Sequence, residues 1–315
     1  MDFQISERRL EVNGKRLSIV IPTIGRQILD KTIESALVQT LPPYELVVWD
    51  NSGTGSAKTS SKYAEDPRIR WEVSETKYPI IESWNNAVCR LTGDYVYILG
   101  DDDLLLPEFV ADVQNALDSG AELVHATAQL IDSDGNVTKT ETIPSEVPYE
   151  VETKRFLTDY IRENAYHISL GSLVFPLKAF REIGAFKSMV MNALSMDILF
   201  NVEMFSVISK ITVLAKPVWQ YRFGVADWCG ALKCNEDILR LYRQYFELSN
   251  YARKYFTGEL VPLYEMFHRK QILSSIVRFC WMKSPFRTFL LCFKSGLRFK
   301  DRYLMFRDIL YMMRQ

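Results

Sequence analysis

What is scarce in this 315-residue chain narrows its class first. Glycine and proline number only 14 and 12, too few for a collagen-like or low-complexity chain. The five cysteines, Cys89, Cys229, Cys234, Cys280 and Cys292, form no CxxC pair. An odd, scattered set predicts reduced, buried thiols in a chain that works on the cytosolic side. No run reaches the ~18 apolar residues of a membrane span, and the polar start MDFQISERRLEVNGKR predicts no secretory leader. No GxGxxG follows an expected strand, which argues against a dinucleotide-dependent dehydrogenase.

Net charge is also nearly absent, at −1, but the balance is a cancellation. Residues 269–315 carry eleven basic and two acidic side chains, a net +9, which leaves −10 for residues 1–268. An acidic body opposes a polyanion, so no nucleic-acid partner is expected despite aromatics interleaved with the basic tail.

What is present is a folded α/β pattern, 48% hydrophobic and 24% charged. The runs LSIVI (17–21), ELVVW (45–49), 69–73, YVYIL (95–99) and 123–127 read as strands. Between them, Leu29, Ile33, Ala36 and Leu37 share one helix face, residues 82–92 form a second helix, and Pro107 opens a third. This alternation predicts a largely parallel sheet covered on both faces. The rhythm then changes. Asp132-Ser133-Asp134-Gly135 marks a hairpin turn, 137–155 reads as extended, and helices are expected at 154–163, 177–183 and 195–208. From Asn235 onward the pattern is almost wholly helical.

In an open parallel sheet, ligands bind beyond the carboxyl ends of the strands. Thr23, Asp50 and the run Asp101-Asp102-Asp103 fall there. Three adjacent carboxylates repel one another and are best tolerated beside a cation or many N–H donors. Hard oxygen ligands suit Mg²⁺ or Mn²⁺, which in turn suit a diphosphate. The plain alternative is a solvated acidic approach to the helix at Pro107.

Taken together, SIVIPTIGR (18–26), ALVQTLPPYELVVWDNS (36–52), LTGDYVYILGDDDLLLP (91–107), ISLGSLVFPLKAFREIGAF (168–186), SMDILFNVEMF (195–205) and VWQYRFG (218–224) resemble the family 2 glycosyltransferases. These are enzymes of GT-A fold, many of which build bacterial surface polysaccharides. The resemblance implies a Rossmann-like GT-A catalytic domain over 1–228, with a nucleotide-sugar half at about 16–130 and an acceptor half at about 131–228. A C-terminal helical region, 229–315, follows. It implies a UDP-sugar donor, Mn²⁺ or Mg²⁺, and a glycan or polyprenyl-linked acceptor, in O-antigen or capsule synthesis. Thr23 and Asp50 match residues lining the base and ribose pocket, and Asp101 the residue facing the ribose. Asp102 matches the metal ligand, with Asp103 adding a contact. Asp197 matches the catalytic base of an inverting transfer. Arg70 and Lys77 are candidates for the basic residue near the donor phosphates. The chain departs from the family pattern at Trp49, where an acid is common, at Gly100, where the first aspartate of a longer pattern stands, and at Phe223-Gly224-Val225, where a histidine is common. His125 is expected in the sheet core, and His167 in a structural or acceptor-facing place.

In the tail, Phe286, Phe289, Leu290, Phe293 and Leu297 line one helix face, flanked by Arg287, Lys294 and Arg298. This pattern fits an in-plane helix on an anionic membrane, at the inner face of the plasma membrane. It equally fits a helical cap with snorkelling basic stems, and an oligomer interface is a third reading. A nucleotide-sugar-binding protein without turnover and a protein that binds nucleic acid or membrane through its basic tail are the rivals to the enzyme as a whole.

Overall fold

The computed structural model describes residues 14–163, 166–187 and 196–222, together with Val261, Pro262, Glu265, Met266, Tyr303, Arg307 and Leu310. Those seven isolated positions are all helical, as expected for that region. The basic stripe Arg287, Lys294 and Arg298 lies outside the described residues.

The chain begins as the sequence predicts, with strand and helix in alternation: β1 (Leu17–Thr23), α1 (Leu29–Leu37), β2 (Glu45–Asp50), α2 (Ser56–Ser60), β3 (Ile69–Val73), α3 (Ile80–Cys89) and β4 (Tyr95–Ile98). Then come β5 (Leu104–Leu105), α4 (Phe109–Asp118), β6 (Val124–His125), β7 (Ala128–Ile131), β8 (Val137–Thr140) and β9 (Tyr149–Glu152). The series ends with α5 (Thr153–Glu163), a 3₁₀ turn (Leu170–Ser172), β10 (Leu173–Pro176), α6 (Leu177–Glu182), α7 (Met196–Val207), β11 (Lys210–Val213) and β12 (Trp219–Arg222).

Eight strands form the main sheet in the order β3-β2-β1-β4-β10-β6-β11-β9. The first four are mutually parallel. Beyond them the sheet is mixed, because β10 enters antiparallel between β4 and β6 and β9 closes the edge antiparallel to β11. The expected parallel sheet is therefore real over its first four strands. The fifth expected strand is short: β6 ends at His125, and the chain crosses into a second sheet, β5-β12-β7-β8.

The two-residue alternation of strand side chains builds a core on each face. Val20, Val47 and Trp49 point to the layer that holds α3, α5, α6 and α7. Ile19, Ile21, Leu46 and Val48 point to the layer of α1 and α4. Helix α1 buries Leu29, Thr32, Ile33 and Ala36, the i, i+3, i+4, i+7 stripe of one face.

Strand β1 runs past the expected 17–21 through Pro22 to Thr23. The Leu99 N–H bonds to Val20 O, so the amide positions of Val20 and Pro22 both face β4. Strand β4 ends opposite Val20, so no ladder partner asks for the N–H that proline lacks. Cys89 departs from expectation too, being an exposed free thiol rather than a buried one. Among the described residues, no helix is long and apolar enough to cross a membrane.

Candidate active site

After β1 the chain moves to β2 and β3 on one side, then returns to β4 on the other. The crevice at such a reversal, beyond the strands' carboxyl ends, is where open α/β sheets take ligands. Thr23 ends β1, Asp50 ends β2, and Asp101 and Asp102 follow β4. Thr23 Oγ1 donates to Asp101 Oδ2 at 2.7 Å and accepts from Gly25 N at 2.9 Å. Arg26 brings a positive charge to the same place, with Nε 3.2 Å from Asp101 Oδ1 and Nη1 2.5 Å from Asp102 Oδ2. Burial pushes the Asp101 carboxyl above the usual range, against the opposing pull of the Arg26 charge and the Thr23 hydrogen bond.

Asp103, expected to add a contact at the metal, is instead engaged by the protein interior. Its side chain is buried, and Oδ1 accepts from Arg222 N at 2.8 Å, tying the acidic loop to β12. Burial holds its carboxyl well above the ordinary range. The hydroxyl of Tyr97, close enough to feel the Asp103 charge, is buried without a hydrogen-bond partner among the described residues.

Asp50 is fully buried, and its oxygens accept from Ser52 N at 2.9 Å and Lys58 N at 3.0 Å. It shapes the turn from β2 into α2 and presents no oxygen to solvent, so it does not line an open base pocket. Arg70 is also corrected. It lies near the amino end of β3, where Nη2 meets Glu45 Oε2 at 2.7 Å and Arg90 O at 2.9 Å, and Nη1 meets Glu72. That is the opposite end of the sheet from the crevice. Lys77 is exposed beside Gly53, in the loop after β3, at the carboxyl end. Asp197 stands in the first turn of α7 and is half-buried.

Trp49 is explained by its direction. It points into the α3 layer, donates from Nε1 to Ser83 Oγ at 3.0 Å, and carries the Arg90 guanidinium 4.2 Å over its ring. The residue at this position therefore packs the core.

Three charged groups, Arg26, Arg222 and Glu141, make contacts that their sequence neighbourhoods do not announce. Arg222 donates to the carbonyls of Asp102, Asp132 and Ser133, clamping the acidic loop to the β7–β8 hairpin turn. Glu141 is buried, with Oε1 2.8 Å from His125 Nε2 and accepting from His167 N, and Oε2 accepting from Ala128 N. Burial drives its carboxyl up, but His125 and the two backbone N–H groups outweigh that and the net shift is downward. His125 is thus in the sheet core, as expected, and His167 is joined to it through a shared carboxylate.

Among the described residues, no three His, Cys, Asp or Glu side chains converge as a complete metal cage. The acid pair still suits a Mg²⁺-type ion. One cationic group, the Arg26 guanidinium, already touches both Asp101 and Asp102. Such ions need only one or two carboxylates, with substrate phosphates and water completing the shell.

Known proteins share this architecture. A UDP-GlcNAc complex of S. aureus TarS superimposes with a TM-score of 0.61 over 93% of this chain and 79% of that one, at 14% identity. A TarS complex with UDP gives 0.60 over 91% and 77%, at 16% identity. In sequence, the chain is 28% identical over 128 residues to the GalNAc(5)-diNAcBac-PP-undecaprenol beta-1,3-glucosyltransferase of Campylobacter jejuni, covering 39% of this chain and 41% of that protein. It is 24% identical over 201 residues to a glycosyltransferase of Rickettsia conorii, covering 62% and 32%. The chain thus spans well under half the length of these curated relatives. Residues 18–184, which carry Thr23, Arg26 and the three aspartates, match the model of Glycosyl transferase family 2, and the chain belongs to that family.

Proposed function

We propose that the chain transfers a sugar, with inversion, from a UDP-sugar to a hydroxyl of a glycan or polyprenyl-linked acceptor in bacterial surface polysaccharide assembly. The observation that carries the reading is the acid pair Asp101–Asp102 at the β1/β4 reversal, held by Thr23 and neutralised by one cation. The TarS complexes support the choice of a UDP-sugar, and the Campylobacter relative supports a lipid-linked acceptor.

In this reading Asp102 is the principal ligand of a Mn²⁺ or Mg²⁺ ion, and Asp101 assists. When bound, the ion would act as a Lewis acid on the departing diphosphate. Thr23 fixes the angle of the Asp101 carboxyl, and Arg222 fixes the loop through the Asp102 carbonyl. Lys77 offers a further positive charge at the rim of the crevice. Asp197 accepts the proton of the acceptor hydroxyl as its oxygen attacks the anomeric carbon, and the C–O bond to the diphosphate breaks. One displacement without a covalent intermediate inverts the anomeric centre. The site of action is the cytoplasmic face of the plasma membrane, where the basic tail meets anionic lipid.

A panel of UDP-, GDP- and dTDP-sugars with Mn²⁺ tests the reading, scored by nucleotide release with and without polyprenyl-linked glycans. Acceptor-dependent release from a UDP-sugar is expected. UDP binding without release from any donor would instead favour a binding protein without turnover.

A further inference from the structure

Among the described residues, Arg26 is the one at the acid pair whose contacts conflict with the ion proposed there. Its guanidinium meets Asp101 Oδ1 and Asp102 Oδ2. A divalent ion held by these carboxylates would sit close to that guanidinium, and two positive charges at such range repel each other. Arrival of the ion therefore disfavours the guanidinium's place on the pair.

The local backbone makes Arg26 the mobile partner. Gly25 takes a left-handed φ of +89°, a conformation that favours glycine, and its N–H is held by Thr23 Oγ1. The Arg26 carbonyl accepts from Leu29 N at 3.1 Å, anchoring the entry to α1. The main chain on either side is therefore fixed, whereas the Arg26 side chain is one-third exposed. Asp101 is the less mobile acid, being tied to Thr23 as well. Rotation of the Arg26 stem is the motion that opens the pair.

We propose that Arg26 is an internal counter-ion of the donor site. In the free protein it neutralises Asp101 and Asp102; it yields them to the divalent ion and then pairs with the diphosphate. The second step rests on the nucleotide-sugar reading above, whereas the first does not. A planar guanidinium with five donors is well matched to diphosphate oxygens once it is released from the carboxylates. Until then it spares the fold the repulsion of two adjacent bare carboxylates.

The test uses the full chain as wild type, Arg26→Ala and Arg26→Lys, titrated with MnCl₂ alone and then with UDP in saturating Mn²⁺. Arg26→Ala is expected to bind Mn²⁺ about tenfold tighter without nucleotide, and UDP about tenfold weaker with Mn²⁺ present. Arg26→Lys should fall between. Structural damage would weaken both equilibria, so a gain in metal affinity is the diagnostic sign. Unchanged or weaker Mn²⁺ binding by Arg26→Ala overturns the proposal, as does a lack of Mn²⁺ binding by both proteins. Tighter Mn²⁺ with unchanged UDP affinity overturns the diphosphate step. A wild type that binds no UDP, beside an alanine variant that gains Mn²⁺ affinity, sinks the nucleotide-sugar reading and upholds the counter-ion.

Discussion

Thr23 Oγ1 and Asp101 Oδ2 lie 2.7 Å apart, a buried hydrogen bond that joins the last residue of β1 to the loop after β4. It couples the two strands that flank the reversal of strand order, so the acid pair inherits the rigidity of the sheet. Thr23→Val should cost about 1.5–3 kcal/mol in urea unfolding, the worth of a hydrogen bond to a carboxylate. UDP affinity in Mn²⁺ should fall as well. Thr23→Ser, which keeps the donor, should restore most of both.

Asp103 and Asp102 are adjacent but should respond oppositely. Asp102→Asn should lose Mn²⁺-dependent UDP binding with little change in stability. Asp103→Asn keeps an acceptor for Arg222 N and should still bind UDP. The Asp103 carboxyl is raised, so its contribution to stability is full below the ordinary value of about 3.9 and declines as pH rises through the folded value. Asp103→Asn should therefore gain stability relative to wild type between acid and neutral pH. Urea unfolding at a series of pH values checks the sign.

Glu141 should behave in the reverse sense. Its folded value is depressed, so its contribution is present above the ordinary value of about 4.3 and is lost as pH falls through the folded value. Glu141→Gln leaves His125 Nε2 and two backbone N–H groups with a weaker acceptor and should cost about 1.5–3 kcal/mol at neutral pH, the worth of a hydrogen bond to a charged group. The gap between variant and wild type should close in acid, as chemical unfolding would show.

Asp197→Asn should bind UDP normally and lose about 10²–10⁴-fold in acceptor-dependent transfer, the range of general-base catalysis. Transfer at the parental rate would exclude Asp197 as the base.

The sequence was most legible where local pattern and tertiary place coincide. Strands β1, β2 and β4 are buried on both faces, so they read as continuous apolar runs. Asp101 and Asp102 follow directly from position after such a run. Asp103 did not, because only the docking of β12 turns it inward. Arg70 differs from expectation because a basic residue on β3 can serve either end of the sheet, and a salt link to Glu45 is invisible in sequence. Arg26 and Arg222 find their partners 76 and 119 residues away along the chain. Strand β10 is four residues, LVFP, too short for periodicity to declare.

That short strand also bears on how the molecule reaches its fold. β10 belongs to the second half of the chain, yet it fills the gap between β4 and β6 of the first. A nascent chain released at about residue 130 would carry two open strand edges facing each other across a missing element, an invitation to wrong pairing. Productive folding has to wait for residues 173–176, and such long-range closure is intrinsically slow. The segments before and after residue 130 are therefore one cooperative unit, and exchanging the later segment between relatives would remake the centre of the sheet.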